Sequence, residues 1–201
     1  MTETIAWNLA CRCGNGVGKA PGRTADAAIP NQPPSGWTGS LGPGVRWEQW
    51  PRSLNTGLPM MHVLTIWLPG DFQRRGLRAE GEHADESEGT NAWDIVEPTI
   101  DIWLIPRVDP NAGKAPVELW GDEVGPGGYV NPSTGGRSLA GWAEPLFALS
   151  HLGGTAFPVQ AMPEGLTPWY LELEEISGLN FGGGGNAQID LESDAFDWAC
   201  G

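Results

Sequence analysis

Residues 150–192 read SHLGGTAFPVQAMPEGLTPWYLELEEISGLNFGGGGNAQIDLE, and this stretch decides the fold class. Two of its runs, WYLELEEI at 169–176 and NAQIDLE at 186–192, combine aromatic, β-branched and alternating apolar residues, as strands do. Four consecutive glycines at 182–185 separate them, and glycine allows the positive φ of a tight or bulged connection. The stretch therefore predicts a strand, a glycine-rich turn and a second strand.

Outside this stretch, further apolar runs also have strand character. PMMHVLTIWLP at 59–69 ends at a proline, TIDIWLI at 99–105 alternates around Asp101, and FDW at 196–198 alternates near the C-terminus. The 201 residues include 30 glycines and 18 prolines. Without a collagen-like repeat, this composition favours turns and short strands over long helices. We therefore predict one mainly β domain (a β-rich α+β fold).

The two halves of the chain share a weak internal pattern. Leu41-Gly42 is echoed by Leu152-Gly153, VLTI at 63–66 by YLEL at 170–173, and TIDIWLI by NAQIDLE. Matching strand pairs in each half suggest a duplication in which two repeats share one core. We assign 1–36 to an irregular N-terminal lead-in and 37–201 to the domain, with repeats at about 37–120 and about 142–201. Residues 70–92 are polar and predict a surface loop.

Several motifs, mostly structural, carry a family resemblance. Trp50-Pro51 with the run at 59–68 forms one group, and LGGTAFPVQ at 152–160 forms another. LNFGGGG at 179–185 and FDW at 196–198 complete the pattern. In these segments the chain, from about residue 37 onward, resembles the YwqG-like bacterial proteins, a family of unknown function. The resemblance implies a roll-like fold built from two repeats and no established catalytic residues.

The chain departs from the family pattern at identifiable positions. The two strand glutamines of the family are Thr65 and Glu172 here, and its turn aspartate is Gly183. Some members carry a CxxC metal knuckle where this chain has MPEGLTP at 162–168, so no zinc knuckle is expected there. The G-G and strand motifs are also distantly similar to those of ribosomal-protein chaperones of the programmed-cell-death-two type. Some YwqG-like genes lie near toxin systems, so both resemblances imply protein binding.

The charge of the chain is strongly acidic and unevenly distributed. Its formal net charge is −14 and its pI about 4.4, which argues against nonspecific binding to nucleic acid or anionic membranes. The 64 residues after Arg137 contain nine acidic residues and no Lys or Arg. A solvated acidic surface explains this, and so does a face for a basic protein partner. For the second case we predict that the partner-binding residues are Glu172, Glu174, Glu175, Asp190 and Glu192, on the solvent side of the two C-terminal strands.

The sequence predicts a cytoplasmic location. The start MTETIAWNLA lacks the pattern of a secretory signal, and no run of about 18 apolar residues could span a membrane. The odd number of cysteines, three, favours a reducing compartment. Cys11, Cys13 and Cys200 could bind a metal ion if the termini meet, but C-x-C is an uncommon spacing. We therefore expect ordinary reduced cysteines and no cofactor.

No catalytic motif is recognisable. His62, His83 and His151 are far apart and lack paired-ligand spacing. His62 is expected to be a hydrogen-bonded core or edge histidine, and His151 to bond within a turn. A G-x-S-x-G motif is missing, and the glycines at 14–18 lack the first Gly and the Ser or Thr of a phosphate-binding loop.

Two functional hypotheses follow from this sequence. The first is a non-catalytic cytoplasmic protein-binding module with an acidic face, such as a toxin-neutralising immunity protein or a chaperone-like binder. The alternative is a small-ligand or carbohydrate-binding protein, or a hydrolase, with a Trp-lined cleft between the repeats. The chain has 11 tryptophans, and most of them are expected in the core.

Overall fold

The elements of secondary structure are strands, with very little helix. A computed structural model describes residues 5–11, 32–39, 44, 46–60, 62–73, 100–116, 149–175, 181 and 184–200. The mainly β prediction is confirmed. Within the described residues the elements are β1 (Ala6–Cys11), β2 (Gly36–Thr38), a 3₁₀ helix (Trp47–Gln49), β3 (Leu64–Ile66), α1 (Gly70–Gln73), β4 (Ile100–Arg107), β5 (His151–Leu152), β6 (Tyr170–Glu174), β7 (Asn186–Asp190) and β8 (Phe196–Ala199).

The eight strands form one open, curled antiparallel sheet in the order β3-β2-β4-β1-β5-β6-β7-β8. Strands β5 to β8 follow one another in space as they do in sequence. The other half is interleaved, because β2 lies between β3 and β4. Strand β1 pairs with β4 on one side and with β5 on the other, so it joins the two halves. No helix in the described ranges is long and apolar enough to cross a bilayer.

The assignment of residues 1–36 to an irregular lead-in is wrong for β1. Its six residues pair with six residues of β4, from Ala6 opposite Arg107 to Cys11 opposite Ile102. The segment is short and a glycine-rich sequence follows it, so its local strand signal is weak. Pairing with partners about a hundred residues away determines its structure instead, as is common for strands.

Five of the predicted strands are present. The runs at 59–69, 99–105, 169–176, 186–192 and 196–198 contain β3, β4, β6, β7 and β8 respectively. β3 covers only three residues of its predicted run, and these are half-buried. The loop prediction for 70–92 is wrong at its start, because α1 begins at Gly70 and its Phe72 is 1% exposed. Residues 74–92 lie outside the described part of the chain.

An apolar core covers one face of the sheet. Strand alternation places Leu9, Leu104, Leu152 and Leu171 on that face, where Phe72 of α1 packs against them. Trp7, Trp169 and Trp198 are half-buried at its margin. Each fully buried leucine or phenylalanine side chain in this core stabilises the fold by about 1.5–3 kcal/mol. The opposite face carries polar residues.

The predicted internal repeat is not visible in the strand order. β3 and β4 contain the matched runs of the first repeat, and β2 separates them. β6 and β7 contain the corresponding runs of the second repeat, yet they are direct neighbours. The Leu41-Gly42 part of the pattern lies outside the described residues. The duplication, the repeat boundaries and the family fold therefore stay predictions.

Candidate functional site

A row of polar side chains crosses one face of the sheet over five neighbouring strands. Asn8 of β1 lies opposite His151 of β5, and His151 lies opposite Glu172 of β6. Glu172 in turn lies opposite Gln188 of β7, and Gln188 opposite Asp197 of β8. Directly opposed residues of antiparallel strands project from the same face. His151 and Glu172 are 0% exposed and Gln188 is 3% exposed, so the centre of this polar row must find its partners inside the protein.

Residues 153–160, GGTAFPVQ, cover the polar row, and we call them the strap. The backbone N–H of Phe157 donates to both carboxyl oxygens of Glu172, at 3.1 and 3.0 Å. The side-chain amide of Asn186 donates to the carbonyl oxygen of Phe157 at 2.7 Å. Its oxygen accepts the N–H of Val159 at 3.1 Å. Side chains of β6 and β7 thus bind the backbone of the strap as a neighbouring strand would.

A pair of glycines turns the chain from β5 onto this face. Gly153 and Gly154 have φ values of +58° and +88°, a region that glycine adopts without a steric penalty. A Cβ atom on Gly154 would lie 2.5 Å from Oδ2 of Asp109. At the other end of the strap, the amide of Gln160 donates to the carbonyl oxygen of Cys200 at 3.1 Å. The G-G motif of the sequence therefore lies where the chain turns from β5 into the strap.

A buried ion pair holds the start of the strap. Nη2 of Arg107 lies 2.8 Å from Oδ2 of Asp109, and both side chains are almost inaccessible, at 2% and 0%. The same nitrogen donates to the carbonyl oxygens of Gly153 and Thr155. The carboxylate of Asp109 accepts hydrogen bonds from the backbone N–H of Thr155 at 2.8 Å and from the Thr155 hydroxyl at 2.9 Å. Burial lowers the pKa of Arg107, and the charge of Asp109 opposes that change.

His151 and Tyr170 lie beneath the strap. Nδ1 of His151 is 2.7 Å from the carbonyl oxygen of Leu149, so this nitrogen carries the proton. The hydroxyl of Tyr170 is 3.1 Å from Nε2 of His151 and 3.1 Å from the carbonyl oxygen of Gly154. Burial, aided by the charge of Arg107, holds the pKa of His151 well below its usual value. Burial also raises the pKa of Tyr170 well above its ordinary value. Both groups are neutral at physiological pH, and neither can reach a substrate in solution.

Two carboxyl groups of β6 have pKa values near neutrality. Burial and the charge of Glu174 raise the pKa of Glu172 to about 8, against the hydrogen bonds from Phe157 and Gln188. Burial raises the pKa of Glu174 to about 7, although Asn186 donates to it at 3.1 Å. At pH 7 Glu172 is therefore mainly uncharged, and Glu174 is divided between its two forms.

These positions correct part of the predicted acidic face. Glu172 and Asp190 were expected on the solvent side of their strands, but they are 0% and 2% exposed. Glu174 and Glu175 are half-buried, and Glu192 is exposed as expected. The strand alternation itself was correct. For Glu172 the error arose because the strap, about 15 residues away along the chain, covers its side chain. Asp190 is instead enclosed by backbone groups outside the strap, which are described with the groove below.

A shallow groove of about 220 Å³ opens between residues 163–166 and the β7–β8 hairpin, and we call it the acidic groove. Its polar lining includes Glu164, Asp190 and Asp197, and its apolar lining includes Leu166 and Phe196. No lysine, arginine or histidine lines it. Because Gln188 of the polar row is also part of its lining, the groove borders the strap region.

Asp190 builds one wall of this groove. Its carboxylate accepts backbone N–H groups of Thr167, Glu192 and Ser193. Burial alone would raise the pKa of Asp190, but these donors outweigh burial and hold the pKa below its ordinary value. The side chain is thus ionised at neutral pH, and it ties the β7–β8 turn to the segment that carries Glu164.

Of the three histidines, His62 and His151 lie in the described residues, and His83 lies outside them. Nδ1 of His62 is 2.6 Å from the carbonyl oxygen of Gly39, and Nε2 is 2.8 Å from the hydroxyl of Thr65. This confirms a hydrogen-bonded histidine at the sheet edge. His151 makes the expected local bond, but its contact with Tyr170 and its proximity to Glu172 were not anticipated.

Two of the three cysteines, Cys11 and Cys200, lie in the described residues. β1 ends at Cys11, Cys200 directly follows β8, and β5, β6 and β7 separate these strands. Cys13 lies outside the described residues, and the metal-binding alternative stays a prediction from the sequence. Within the described ranges no three His, Cys, Asp or Glu residues are grouped for metal binding.

The described tryptophans give no support to a Trp-lined cleft. Trp103 is buried and donates from Nε1 to the carbonyl oxygen of Gln32 at 3.0 Å. Trp50 donates to the carbonyl oxygen of Met60 at 2.7 Å. Trp47 and Trp67 are exposed. The acidic groove contains no tryptophan, so the carbohydrate-binding alternative stays a prediction from the sequence.

Sequence reasoning missed several residues that organise the site. Arg107 and Asp109 follow the predicted strand run at 99–105 and lie outside it, and Asn8 was in the supposed lead-in. A usable signal was present, because Asn8, Glu172 and Gln188 are polar residues with apolar neighbours on both sides.

Comparisons of the chain with protein-family models, with curated proteins and with solved structures gave no match.

Proposed function

We propose that the protein is a non-catalytic module that binds a basic protein partner through the acidic groove. The composition of the groove lining carries this proposal. Glu164 and Asp197 supply carboxylates at the surface, Asp190 adds a third at the wall, and Leu166 and Phe196 supply apolar area. Lysine and arginine side chains have a matching character, with an apolar stem and a cationic head.

The surrounding charge supports the same partner chemistry. The last 64 residues contain nine acidic residues and no Lys or Arg, and exposed Glu192 and Asp194 follow Asp190 in the hairpin beside the groove. A negative field of this kind accelerates the approach of a basic protein, and salt weakens the effect. Glu172 would act inside the protein as a support of the strap, without contact with the partner.

A cytoplasmic immunity protein or a chaperone-like binder fits this proposal. Proteins that act on nucleic acid carry Lys and Arg on their binding surfaces to neutralise phosphates. Covering such a surface with carboxylates both neutralises its charge and blocks its function. Nuclease-type toxins and ribosomal proteins share this surface chemistry, so one acidic groove could serve either role.

Binding of a fluorescent peptide of alternating arginine and glycine, followed by anisotropy, tests the proposal. The double variant Glu164→Gln with Asp197→Asn removes two negative charges from the groove. We expect it to weaken binding at least about tenfold at ~0.15 M salt, as the loss of close charge pairs does. The wild-type affinity should also fall as salt is added.

The matched control removes two exposed carboxylates elsewhere, with Glu48→Gln and Asp101→Asn. This control has the same net charge as the groove variant, and it should retain most of the wild-type affinity. Equal losses in the two double variants would show that the peptide responds to net charge alone. That result would refute the groove as the binding site.

A further inference from the structure

We propose that the outer edge of β3 pairs antiparallel with the same edge of a second copy of this chain, so that two sheets join across a two-fold axis at Thr65. β3 is the last strand on one side of the described sheet. The acidic groove borders β7 and β8 on the other side. The pairing therefore goes beyond the function proposed above and does not depend on it.

The backbone of β3 presents hydrogen-bonding groups at this edge. Val63 and Trp67 form backbone hydrogen bonds with the residues that flank β2 on either side. Because successive residues of a strand direct their N–H and C=O groups to opposite sides, Leu64 and Ile66 direct theirs away from β2. No described residue forms a hydrogen bond with these outward groups. Such an edge is a template for another strand.

The opposite edge of the sheet is protected against pairing of this kind. The N–H of Trp198 in β8 points away from β7, and the carboxylate of Asp197 accepts it at 2.9 Å. The side-chain amide of Gln160 donates to the carbonyl oxygen of Cys200 directly beyond the strand. A charged side chain on an edge strand also discourages a neighbouring strand. β3 has the sequence LTI and carries no such charge.

Charge makes a second copy the occupant that fits this edge. The chain has a net charge of −14, so two copies repel one another when their acidic surfaces approach. Residues 53–70, which include β3, contain no Asp, Glu, Lys or Arg. Two such segments can therefore meet without placing like charges together. A basic partner finds no carboxylate in this segment, whereas an apolar strand such as β3 itself matches it.

The register of the pairing follows from the outward groups. With the two-fold axis at Thr65, Leu64 of each copy would lie opposite Ile66 of the other, and an opposed pair of this kind exchanges both of its N–H···O bonds. Trp67 of one copy would lie opposite Val63 of the other, on the same face as Thr65. Trp67 is 78% exposed, so the pairing would also cover a large apolar side chain.

Sedimentation equilibrium over a range of chain concentrations tests the inference. The average mass should rise from 21.4 kDa toward twice that value. We expect half of the chains to be paired at about 0.1–1 mM, since the interface is small. Added salt should strengthen this pairing because it screens the repulsion between copies, whereas it weakens binding of the basic peptide. The amides of Leu64 and Ile66 should gain protection from hydrogen exchange as the concentration rises.

The substitution Thr65→Lys would place two ammonium groups opposite one another at the two-fold axis. We expect it to weaken pairing at least about tenfold, although it makes the net charge less negative. Val108→Lys is the matched control with the same change of charge. Val108 is 97% exposed and follows the end of β4 that does not pair with β2. The control should pair as wild type does, or slightly better.

Circular dichroism shows whether each variant is folded. If Thr65→Lys does not fold, the wild-type concentration series and amide exchange still decide. A wild-type mass that stays at 21.4 kDa up to about 1 mM would overturn the inference, also where the edge accepts a strand of a different protein. Unchanged pairing in Thr65→Lys, an equal loss in Val108→Lys, or assembly that continues beyond the dimer would overturn it as well.

Discussion

At the scale of single residues, buried polar groups shape the candidate site more than exposed charges do. Arg107 and Asp109 form an ion pair that is almost inaccessible to solvent. Between them they bind the backbone of Gly153 and Thr155 as the strap begins. Two charges in such a place are costly to desolvate, so the pair adds little net stability, but removal of one partner leaves the other uncompensated.

We predict that Asp109→Ala lowers the free energy of unfolding by about 3–5 kcal/mol, because Arg107 would remain buried without its counter-ion. The double variant Arg107→Met with Asp109→Leu should recover most of this loss. Urea denaturation of the two variants and wild type measures both effects. A loss below about 1 kcal/mol for Asp109→Ala would contradict the uncompensated-charge argument.

The sequence predicts which face of the sheet each residue of β6 occupies. It does not predict whether that face is buried. The alternation in WYLELEEI correctly places Glu172 and Glu174 on one face and Leu171 and Leu173 on the other. Nothing local to that run shows that residues 153–160 return across the polar face. Burial of Glu172 depends on this non-local contact, so the alternation alone suggested an exposed acid.

At the scale of elements, the two glycines directly before β7 have different structural roles. Gly184 has a φ of +92°, which is the positive φ expected in this connection. Gly185 has a different role, because a Cβ atom there would collide with the carbonyl oxygens of Phe181 and Ala199. The start of β7 therefore approaches the end of β8 more closely than any side chain allows.

Gly185→Ala should lower the free energy of unfolding by about 1–3 kcal/mol or more, since backbone atoms must move to admit the methyl group. Gly70→Ala is the control, because open space surrounds Gly70 at the start of α1. The control should be neutral or slightly stabilising. Thermal unfolding of both variants gives the comparison, and an equal response would argue against the close approach at Gly185.

The strands that could be predicted from sequence are those with a sustained apolar pattern. β4 and β6 lie in runs of several alternating or apolar residues, whereas β2 has three residues and β5 has two. Such short strands carry no periodic signal. Their pairing with β4 and with β1 respectively depends on long-range contacts that propensity does not encode.

At the scale of the whole molecule, the titratable groups give stability an optimum in mild acid. The pKa of Glu172 and that of Glu174 are raised to about 8 and about 7. Their stabilising contribution is complete below the ordinary pKa and is lost as the pH rises through the raised values. Asp190 acts oppositely, because its pKa is lowered. Its contribution is present above the ordinary pKa and is lost as the pH falls through the lowered value.

We therefore predict that the free energy of unfolding decreases between about pH 5 and about pH 8, with a slope of up to about 1.4 kcal/mol per pH unit for each raised carboxyl group. Urea titrations at several pH values measure this slope. Glu172→Gln should flatten it, and Glu164→Gln should leave it unchanged. Stability that rises steadily across this range would be inconsistent with protonated carboxyl groups in the fold.

The central functional claim is that the acidic groove recognises basic protein surfaces. The most direct measurement is an NMR titration of the isotope-labelled protein with the arginine–glycine peptide, read at each backbone amide. The account predicts the largest shift changes at Leu166, Ser193 and Phe196, which line the groove, with loss of those changes in the Glu164→Gln, Asp197→Asn variant. Shift changes spread evenly over exposed carboxylates such as Glu48 and Asp101, and unaltered by the groove substitutions, would contradict it.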